Sequence, residues 1–219
     1  MMDCRIVIRP FKQTDRDALL KIAADTAFFG DPVEHFMEDR RIFLDAFYVY
    51  YTDQEPEHCW VATHDECVIG FLTGCFDTVL QREYTGRVLQ PKTLKGMING
   101  KYHIGKKFFR YMLNYLWSRI RSPKNSLDLL KYPVHFHINI IKGWRGRGIG
   151  RNLIDRFLDQ LIAANIYGVH LQTTTYNKAA LYLYQKMGFQ LLFSTPSYLW
   201  QYIVDEPVFE LTYGMKLEM

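Results

Sequence analysis

One stretch of the chain, residues 142 to 162, constrains the fold more than any other, because its glycines separate two kinds of hydrophobic pattern. The run before it, His135 to Ile141, is typical of a strand. After it, apolar residues recur at the spacing of one helical face, at Leu153, Ile154, Phe157, Leu158, Leu161 and Ile162. This pattern predicts an α/β fold, with the glycines at a turn from strand to helix.

Residues of the turn have the chemistry of an anion site. Glycines lack a Cβ atom, so the chain can turn sharply there and a ligand can approach several backbone amides at once. The amides are also the first, unpaired donors of the following helix, at its partly positive end, which suits a pyrophosphate. Mobile arginines add positive charge nearby. The candidate binding residues are Arg145, Gly146, Arg147, Gly148, Ile149, Gly150 and Arg151.

Two common phosphate-binding motifs do not fit this turn. A P-loop needs Lys and then Ser or Thr after its last glycine, whereas Ile149 and Arg151 follow the glycines here. A dinucleotide-binding fingerprint needs a third glycine where Arg151 stands. The turn by itself therefore leaves open a phosphate site of another kind or a tight packing turn.

A second segment of the sequence, taken together with the turn, resembles a known protein family and favours the phosphate site over the packing turn. Arg145-x-x-Gly148-x-Gly150 resembles the acyl-CoA signature of the GNAT N-acetyltransferases. The segment from Asn177 to Phe189, with Ala180, Tyr184 and Gly188, is similar to the next block of that family, one helix and one strand later. The resemblance is strongest over residues 132 to 193 and weaker over residues 4 to 77. It implies an acyltransferase with acetyl-CoA as its cofactor.

The order of predicted elements agrees with the fold that this resemblance implies. That fold is a central mixed, mostly antiparallel sheet, flanked by helices, in which the fourth and fifth strands splay apart for the pantetheine arm. The patterns predict strands over Arg5 to Arg9, His58 to Thr63, Cys67 to Phe76, Val169 to Thr173, 189 to 194 and 208 to 217, besides the central strand. They predict helices over Asp15 to Ala27, Glu34 to Tyr51 and Asn177 to Gly188, besides the one after the glycines.

Length and composition favour one compact domain over residues 1 to 219. A chain of 219 residues with 48% hydrophobic and 23% charged residues can bury a sizeable core. The sequence holds no apolar run of 18 residues, and charged residues near its start argue against a signal peptide. The four cysteines show no paired or metal-binding spacing. We therefore expect a cytoplasmic protein, with no membrane association.

Residues 78 to 131 form a basic insertion between the third and fourth strands. They contain twelve Lys and Arg against Glu83 and Asp128, a net charge of +10, while the rest of the chain carries −6. One segment predicts an amphipathic helix whose outer stripe is Lys107, Arg110, Asn114, Ser118 and Arg121, opposite Phe108, Tyr111, Met112, Tyr115, Leu116 and Ile120.

The stripe is open to several interpretations. It is a solvated face, a surface for an acidic partner or polyanionic ligand, a wall of the substrate site, or a membrane surface. A basic helical insertion before a strand with His135-Phe136-His137 is similar to the acetyltransferase-like domain of O-GlcNAcases. No nucleic-acid-binding module is evident, so nucleic acid is not an expected partner. A homodimer is compatible with the sequence.

Acetyl transfer from a thioester to an amine needs a polarised carbonyl and a stabilised thiolate. The resemblance implies that backbone amides around Ile140 and Ile141 polarise the carbonyl. Tyr184 stands two helical turns after Asn177 and shares its face, so it would stabilise the thiolate while Asn177 bonds to the pantetheine or phosphate arm. The alternative is a tyrosine that only packs.

The general base is harder to assign. Many GNAT enzymes place a carboxylate on the fourth strand, but here His135, His137 and Asn139 share one face of that strand. Asn139 cannot act as a base, whereas His137 has a suitable ordinary pKa, with a structural hydrogen-bonded histidine as the alternative. His135 and His137 lack an apparent third ligand, so the sequence does not predict a metal site.

The sequence therefore predicts an acetyl-CoA-dependent N-acetyltransferase that acts on a primary amine, either of a small molecule or exposed on a protein, by direct attack in a ternary complex. The alternative is a GNAT-like module with weak or no catalysis, which binds a ligand or another protein. The acceptor amine is not identified by the sequence.

Overall fold

The computed structural model describes residues 6–123 and 126–217. They form seven strands: β1 (Val7–Pro10), β2 (Cys59–His64), β3 (Cys67–Cys75), β4 (Val134–Ile140), β5 (Gly168–Thr174), β6 (Gln190–Ser197) and β7 (Val208–Lys216). They also form eight α-helices: α1 (Arg16–Asp25), α2 (Arg40–Phe43), α3 (Val49–Gln54), α4 (Thr78–Tyr84), α5 (Gln90–Ile98), α6 (Lys106–Arg121), α7 (Ile149–Ala163) and α8 (Lys178–Lys186). The predicted first strand began at Arg5, which lies outside the described residues.

All seven strands belong to one sheet, in the order β1-β2-β3-β4-β5-β7-β6. Each neighbouring pair is antiparallel except β4 and β5, which run parallel. The parallel pair is joined only at Val134↔Val169 and His135↔His170, although each strand has seven residues. Beyond these two pairs the strands separate, so the predicted mixed sheet with splayed fourth and fifth strands is confirmed.

Helices cover both faces of this sheet. On one face α7 buries Leu153, Phe157 and Leu161 in a core that includes Phe136 of β4 and Tyr184 of α8. The opposite face is covered by α1 and by residues 34–51, here called the aromatic segment, whose Tyr48 and Tyr51 pack with Phe71 of β3. Alternation of side chains along β4 therefore sends its phenylalanine and isoleucines to the first face and its histidines to the second.

The aromatic segment is not the single helix predicted over Glu34 to Tyr51. A 3-10 turn at Val33–His35 ends early, and a new helix begins at Arg40, where the Asp39 side chain caps the Arg41 amide at 3.0 Å. A π-helical turn, Leu44–Tyr48, then joins α2 to α3. Such a turn contains an extra residue, which changes the direction of the side chains that follow.

The basic insertion comprises α4, a second π-helical turn at Thr85–Leu89, α5 and α6, and its Lys124 lies outside the described residues. Helix α6 is rotated relative to the sequence prediction. Ser118, expected outside, is buried, whereas Leu116 and Ile120, expected inside, are 55% and 79% exposed. The exposed side of α6 carries an apolar row: Phe109, Leu113, Leu116, Trp117 and Ile120.

The rotation follows from two aromatic anchors. Phe108 is buried with Phe36, and Tyr111 lies over Phe36 with ring centroids 5.0 Å apart and near Trp200 at 5.9 Å. Because Trp200 comes from the loop between β6 and β7, the hydrophobic periodicity of α6 could not predict this orientation of the helix. Within the described residues no helix is both long and apolar enough to cross a membrane.

Candidate active site

The opening between β4 and β5 is lined by the backbone of both strands beyond their two shared pairs. Backbone groups of alternate β4 residues point toward β3, and the Ile141 amide donates to the Ile69 carbonyl at 3.1 Å. The Ile141 amide is therefore not free to polarise a carbonyl, contrary to the expectation. By the same alternation, the amides of Ile140 and Ile138 face the opening.

The loop that follows β4 presents a row of free amides. Helix α7 forms its first backbone hydrogen bond from the Asn152 amide to the Gly148 carbonyl, at 3.1 Å. The amides of residues 146–151 have no acceptor within the described residues. Gly146 and Gly148 have φ angles of +77° and +78°, and a Cβ added to either would meet open space. Both glycines therefore permit the turn and leave its outer side open to a ligand.

Ile149 and Gly150, which were also expected to bind the ligand, are buried. A Cβ at Gly150 would lie 2.9 Å from the Leu183 side chain of α8, so this glycine allows α7 and α8 to pack closely. Only the backbone amides of these two residues remain for a ligand, and a larger side chain at Gly150 would disturb the fold as well as the site.

The three arginines of the loop already have partners in the chain. Arg145 donates to the carbonyls of Ile140 and Gly30, at 2.9 and 3.0 Å. Arg147 lies over the Trp144 ring, 4.7 Å from its centroid, and Arg151 is 3.6 Å from Asp155. Arg145 thus ties the loop to the segment after α1, whereas the guanidinium groups of Arg147 and Arg151 lie on the exposed surface near the amides.

The second segment of the sequence lies beside the opening. Asn177 precedes α8, and its side chain makes no capping hydrogen bond. On β5, beyond the last pair with β4, the buried hydroxyls of Thr173 and Thr174 have no partner in the described part of the chain. Polar groups without partners in a buried place favour a ligand or ordered water there. The two threonines were not predicted from the sequence.

Tyr184 is 5% exposed and packs against Phe136 and Phe189, with ring centroids 6.4 and 5.9 Å away. Burial raises the pKa of its hydroxyl above the ordinary value. The phenol is close enough to Tyr48, on the other face of the sheet, to contribute to the raised pKa of that residue. Tyr184 therefore lies beside Phe136 of β4, within electrostatic reach of Tyr48.

The histidine face of β4 forms a hydrogen-bonded cluster with the aromatic segment. The Tyr51 hydroxyl lies 2.9 Å from Nε2 of His135 and 2.9 Å from Nε2 of His137. Nδ1 of His135 lies 2.8 Å from the Thr78 hydroxyl, at the start of the insertion. Asn139 accepts from the Tyr48 hydroxyl at 3.1 Å. The sequence did not predict Tyr51 or Thr78, because both come from distant elements.

Desolvation favours the uncharged form of this cluster, in which His135 and His170 are buried while His137 is exposed at its edge. Desolvation, with a contribution from His170, lowers the pKa of His137 to about 4, and desolvation lowers that of His135 well below its ordinary value. The pKa of His170 is also lowered to about 4, by desolvation first. No group of three potential ligands in residues 6–123 and 126–217 could hold a metal ion. The lowered pKa values favour the neutral form of these histidines, in which one ring nitrogen carries a lone pair.

A cavity of about 500 Å³ opens onto the histidine face. Its wall combines the aromatic segment, the π-helical part of the insertion and the strands at the opening. Arg82 is the one cation among its described lining residues, which include no carboxylate. Its lining includes Tyr48, Tyr51, Thr78, Arg82, His135 and His137. This cavity can hold a small molecule or the end of a chain next to His137.

These features have counterparts among known proteins. Residues 132–189, which contain β4, the loop, α7, β5 and α8, match the acetyltransferase (GNAT) family model. The chain thus carries a segment of the acetyltransferase (GNAT) family over residues 132–189, where the sequence predicted the strongest resemblance. It is accordingly an acyltransferase, and the expected cofactor, acetyl-CoA, is that of the family.

Solved structures share the fold along nearly the whole chain. SsHAT is 24% identical, with a TM-score of 0.72, over 98% of this chain and 99% of that one. YncA, a putative acetyltransferase from Salmonella typhimurium with its cofactor acetyl-CoA, is 14% identical, with a TM-score of 0.57, over 98% of this chain and 95% of that one. Ard1 from Thermoplasma volcanium is 19% identical, with a TM-score of 0.54, over 98% and 99% of the two chains.

Proposed function

We propose that the protein is an N-acetyltransferase that transfers the acetyl group of acetyl-CoA directly to a primary amine in a ternary complex. One observation carries this proposal: the row of free amides that follows β4 and the histidine-lined cavity both adjoin the opening between β4 and β5. Donor and acceptor can thus meet without either leaving the protein.

The amides of residues 146–151 would bind the pyrophosphate of the donor, because they are unpaired and lie at the positive end of a 15-residue helix. Arg147 and Arg151 would add charge, while Arg145 would hold the loop in place through its two carbonyl contacts. Asn177 would bond to the pantetheine arm. The amide of Ile140 would polarise the thioester carbonyl.

The acceptor would enter the cavity on the histidine face. Because Arg82 is the cation of the described lining and no carboxylate opposes it, the cavity would favour an amine that also carries an anionic group. The acceptor's amine would then lie near His137, whose neutral ring is open to the cavity.

Tyr184 would stabilise the leaving thiolate by a hydrogen bond. Its raised pKa makes full proton transfer to a thiolate less favourable, whereas a hydrogen bond that strengthens as charge develops needs no match of pKa values. His137 would accept the proton of the attacking amine. The lowered pKa of His137 keeps the ring in its neutral, proton-accepting form but also makes it a weak base, so the proton would pass to it only as the C–N bond forms and the attacking nitrogen becomes more acidic.

We also propose a domain organisation and partners for this chain. Residues 1–219 would act as a single domain, with the basic insertion supplying the acceptor wall through α4 and a surface for an acidic partner through its exposed lysines. The apolar row on α6 is compatible with self-association as a homodimer. The likeness to the acetyltransferase-like domain of O-GlcNAcases stays a prediction, supported by the order of insertion and histidine-bearing strand.

A coupled experiment tests the function. Acetyl-CoA is titrated in a thermal unfolding assay, and thiol release is then measured with a panel of primary amines with and without a carboxylate. The proposal requires both stabilisation by acetyl-CoA and amine-dependent thiol release. Stabilisation without release for any amine would favour the alternative of a non-catalytic binding module, and neither effect would exclude both.

A further inference from the structure

The cluster around Tyr51 links four side chains and one backbone carbonyl in a single line. The successive heavy-atom distances are 2.9 Å from His137 to Tyr51, 2.9 Å from Tyr51 to His135, 2.8 Å from His135 to Thr78 and 2.6 Å from Thr78 to the Pro133 carbonyl. Positions of the hydrogens in such a line follow from which atoms can only accept.

The Pro133 carbonyl fixes the direction of the two hydrogen bonds that the Thr78 hydroxyl makes. A carbonyl oxygen only accepts, and two oxygens 2.6 Å apart repel unless a proton lies between them, so the Thr78 hydroxyl donates to Pro133. That hydroxyl has one proton. It must therefore accept at its other contact, which requires the proton of His135 to be on Nδ1.

The remaining bonds then have one arrangement. A neutral His135 with its proton on Nδ1 has a lone pair on Nε2, so it accepts the Tyr51 proton. Tyr51 has no second proton, and its oxygen must accept from Nε2 of His137. The proton of neutral His137 is thus on Nε2. Its Nδ1 carries the lone pair, and no group in the described residues is hydrogen-bonded to that atom.

We propose that Tyr51, His135 and Thr78 are positioning residues that fix the tautomer of His137, so that its Nδ1 is the atom that takes the acceptor amine's proton. This inference rests on the proposed acetyl transfer. The amine lone pair forms the new C–N bond with the acetyl carbon, and the C–S bond breaks with its electron pair on sulfur. The proton displaced from nitrogen goes to Nδ1.

All four hydrogen bonds point the same way, from His137 toward the Pro133 carbonyl. When Nδ1 takes a proton, the Nε2–H group becomes a stronger donor, and the aligned hydroxyl and imidazole dipoles stabilise the added charge. The other titratable or charged groups near this ring are Tyr48 from the aromatic segment, His170 from β5 and Arg82 from α4. None of these is a carboxylate, so the line itself supplies the stabilisation.

Nitrogen NMR of the ring atoms tests the tautomers without any substrate. The expected result at pH 7 is opposite tautomers two residues apart: the proton on Nδ1 in His135 and on Nε2 in His137. The tautomer of His135 is the more informative of the two, because a histidine side chain free in water favours the proton on Nε2 and not on Nδ1. A proton on Nδ1 of His137 would overturn the proposal even if the enzyme acetylates amines.

The variants Thr78→Val and Thr78→Ser separate the hydroxyl from the bulk of the side chain. Thr78→Val removes the acceptor of the His135 proton, so His135 can move its proton to Nε2. Tyr51 then turns its proton toward His137, whose own proton moves to Nδ1. The expected results are this change in the NMR spectrum and a fall of about 10²-fold in kcat/KM, without loss of stabilisation by acetyl-CoA. Thr78→Ser should restore both.

The variant Tyr51→Phe breaks the line at its centre and keeps the ring. It should lower kcat/KM by a similar factor and move the acidic limb of its pH profile to lower pH, because the imidazolium of His137 loses the oxygen that accepts its Nε2–H. Unchanged tautomers, rate and pH profile in both Tyr51→Phe and Thr78→Val would refute the inference. If neither variant folds, the tautomers in the NMR spectrum of the wild-type protein still test the proposal.

Discussion

Replacement of Gly148 by aspartate, with asparagine as its matched control, tests the anion site. Gly148 has a φ of +78°, a conformation that Asp and Asn adopt more readily than other residues with a side chain, and the space around its missing Cβ is open. The two variants have the same shape and should lose similar stability without ligand, about 1–2 kcal/mol. They differ only in a negative charge at the free amides.

The effect of that charge can be estimated. Two unit charges about 4 Å apart repel by about 1 kcal/mol in bulk water and about 4 kcal/mol near a protein surface. Gly148 is exposed, so we expect a value between these limits, equivalent to a Kd raised about 10- to 100-fold. Acetyl-CoA at about 100 times the wild-type Kd should stabilise the wild type by about 2.7 kcal/mol and Gly148→Asp by about 0.4–1.4 kcal/mol.

Thermal unfolding with and without acetyl-CoA measures this difference. For a chain of this length 1 kcal/mol corresponds to about 2–4 °C in Tm, so the wild-type shift of about 5–11 °C should fall by half or more in Gly148→Asp. Gly148→Asn should keep most of its shift. Gly143→Asp places the same charge at another open glycine with positive φ, before the row of amides, and should retain most of its shift. Equal shifts in all four proteins would refute the assignment of the pyrophosphate to these amides.

Three further results are expected. Tyr184→Phe should keep the acetyl-CoA-induced shift while turnover falls about 10²-fold, and unchanged steady-state turnover would mean that the tyrosine only packs. Arg82→Gln should lower kcat/KM for amines that carry a carboxylate more than for those that do not, and an equal change for both classes would contradict its role in the cavity. The Arg41 side chain lowers the pKa of Asp39 to about 2, below the unfolded value of about 3.9, so this pair stabilises the fold above about pH 4 and loses its effect as the pH falls toward 2. Since Arg41 is half exposed, Asp39→Asn should lower the free energy of unfolding, measured in urea at pH 7, by about 1–2 kcal/mol. The difference from wild type should shrink below pH 4. A difference that does not change with pH would mean that the loss comes only from the hydrogen bonds that the Asp39 side chain accepts from the amides of Arg41 and His103.

The sequence predicted those parts of the molecule that depend on local pattern. Strand β4 lies within one residue of its expected bounds, and α7 follows the glycines and contains the whole predicted stripe from Leu153 to Ile162, because alternation, glycines and a helical stripe are close together along the chain. The free amides at the start of α7 could be anticipated for the same reason.

Features that depend on distant partners were missed or misjudged. The partner of Arg145 is Gly30, 115 residues away, and the partners of the histidines are Tyr51 and Thr78. The orientation of α6 depends on Trp200 from a later loop. Hydrophobic periodicity within one helix reports how apolar each face is, but it carries no information about which aromatic cluster that face will meet.

The scarcity of bonds between β4 and β5 has a consequence for how the folded chain behaves as a cooperative unit. The sheet is two half-sheets, β1–β4 and β5–β7, joined along only two residue pairs. A donor molecule that lies in the opening would bond to both edges and take the place of the missing pairs. Amide hydrogen exchange in the outer strands β6 and β7 should then slow when acetyl-CoA binds, although neither strand borders the opening. The cofactor would thus be a removable cross-link that determines whether the two halves open together or one at a time.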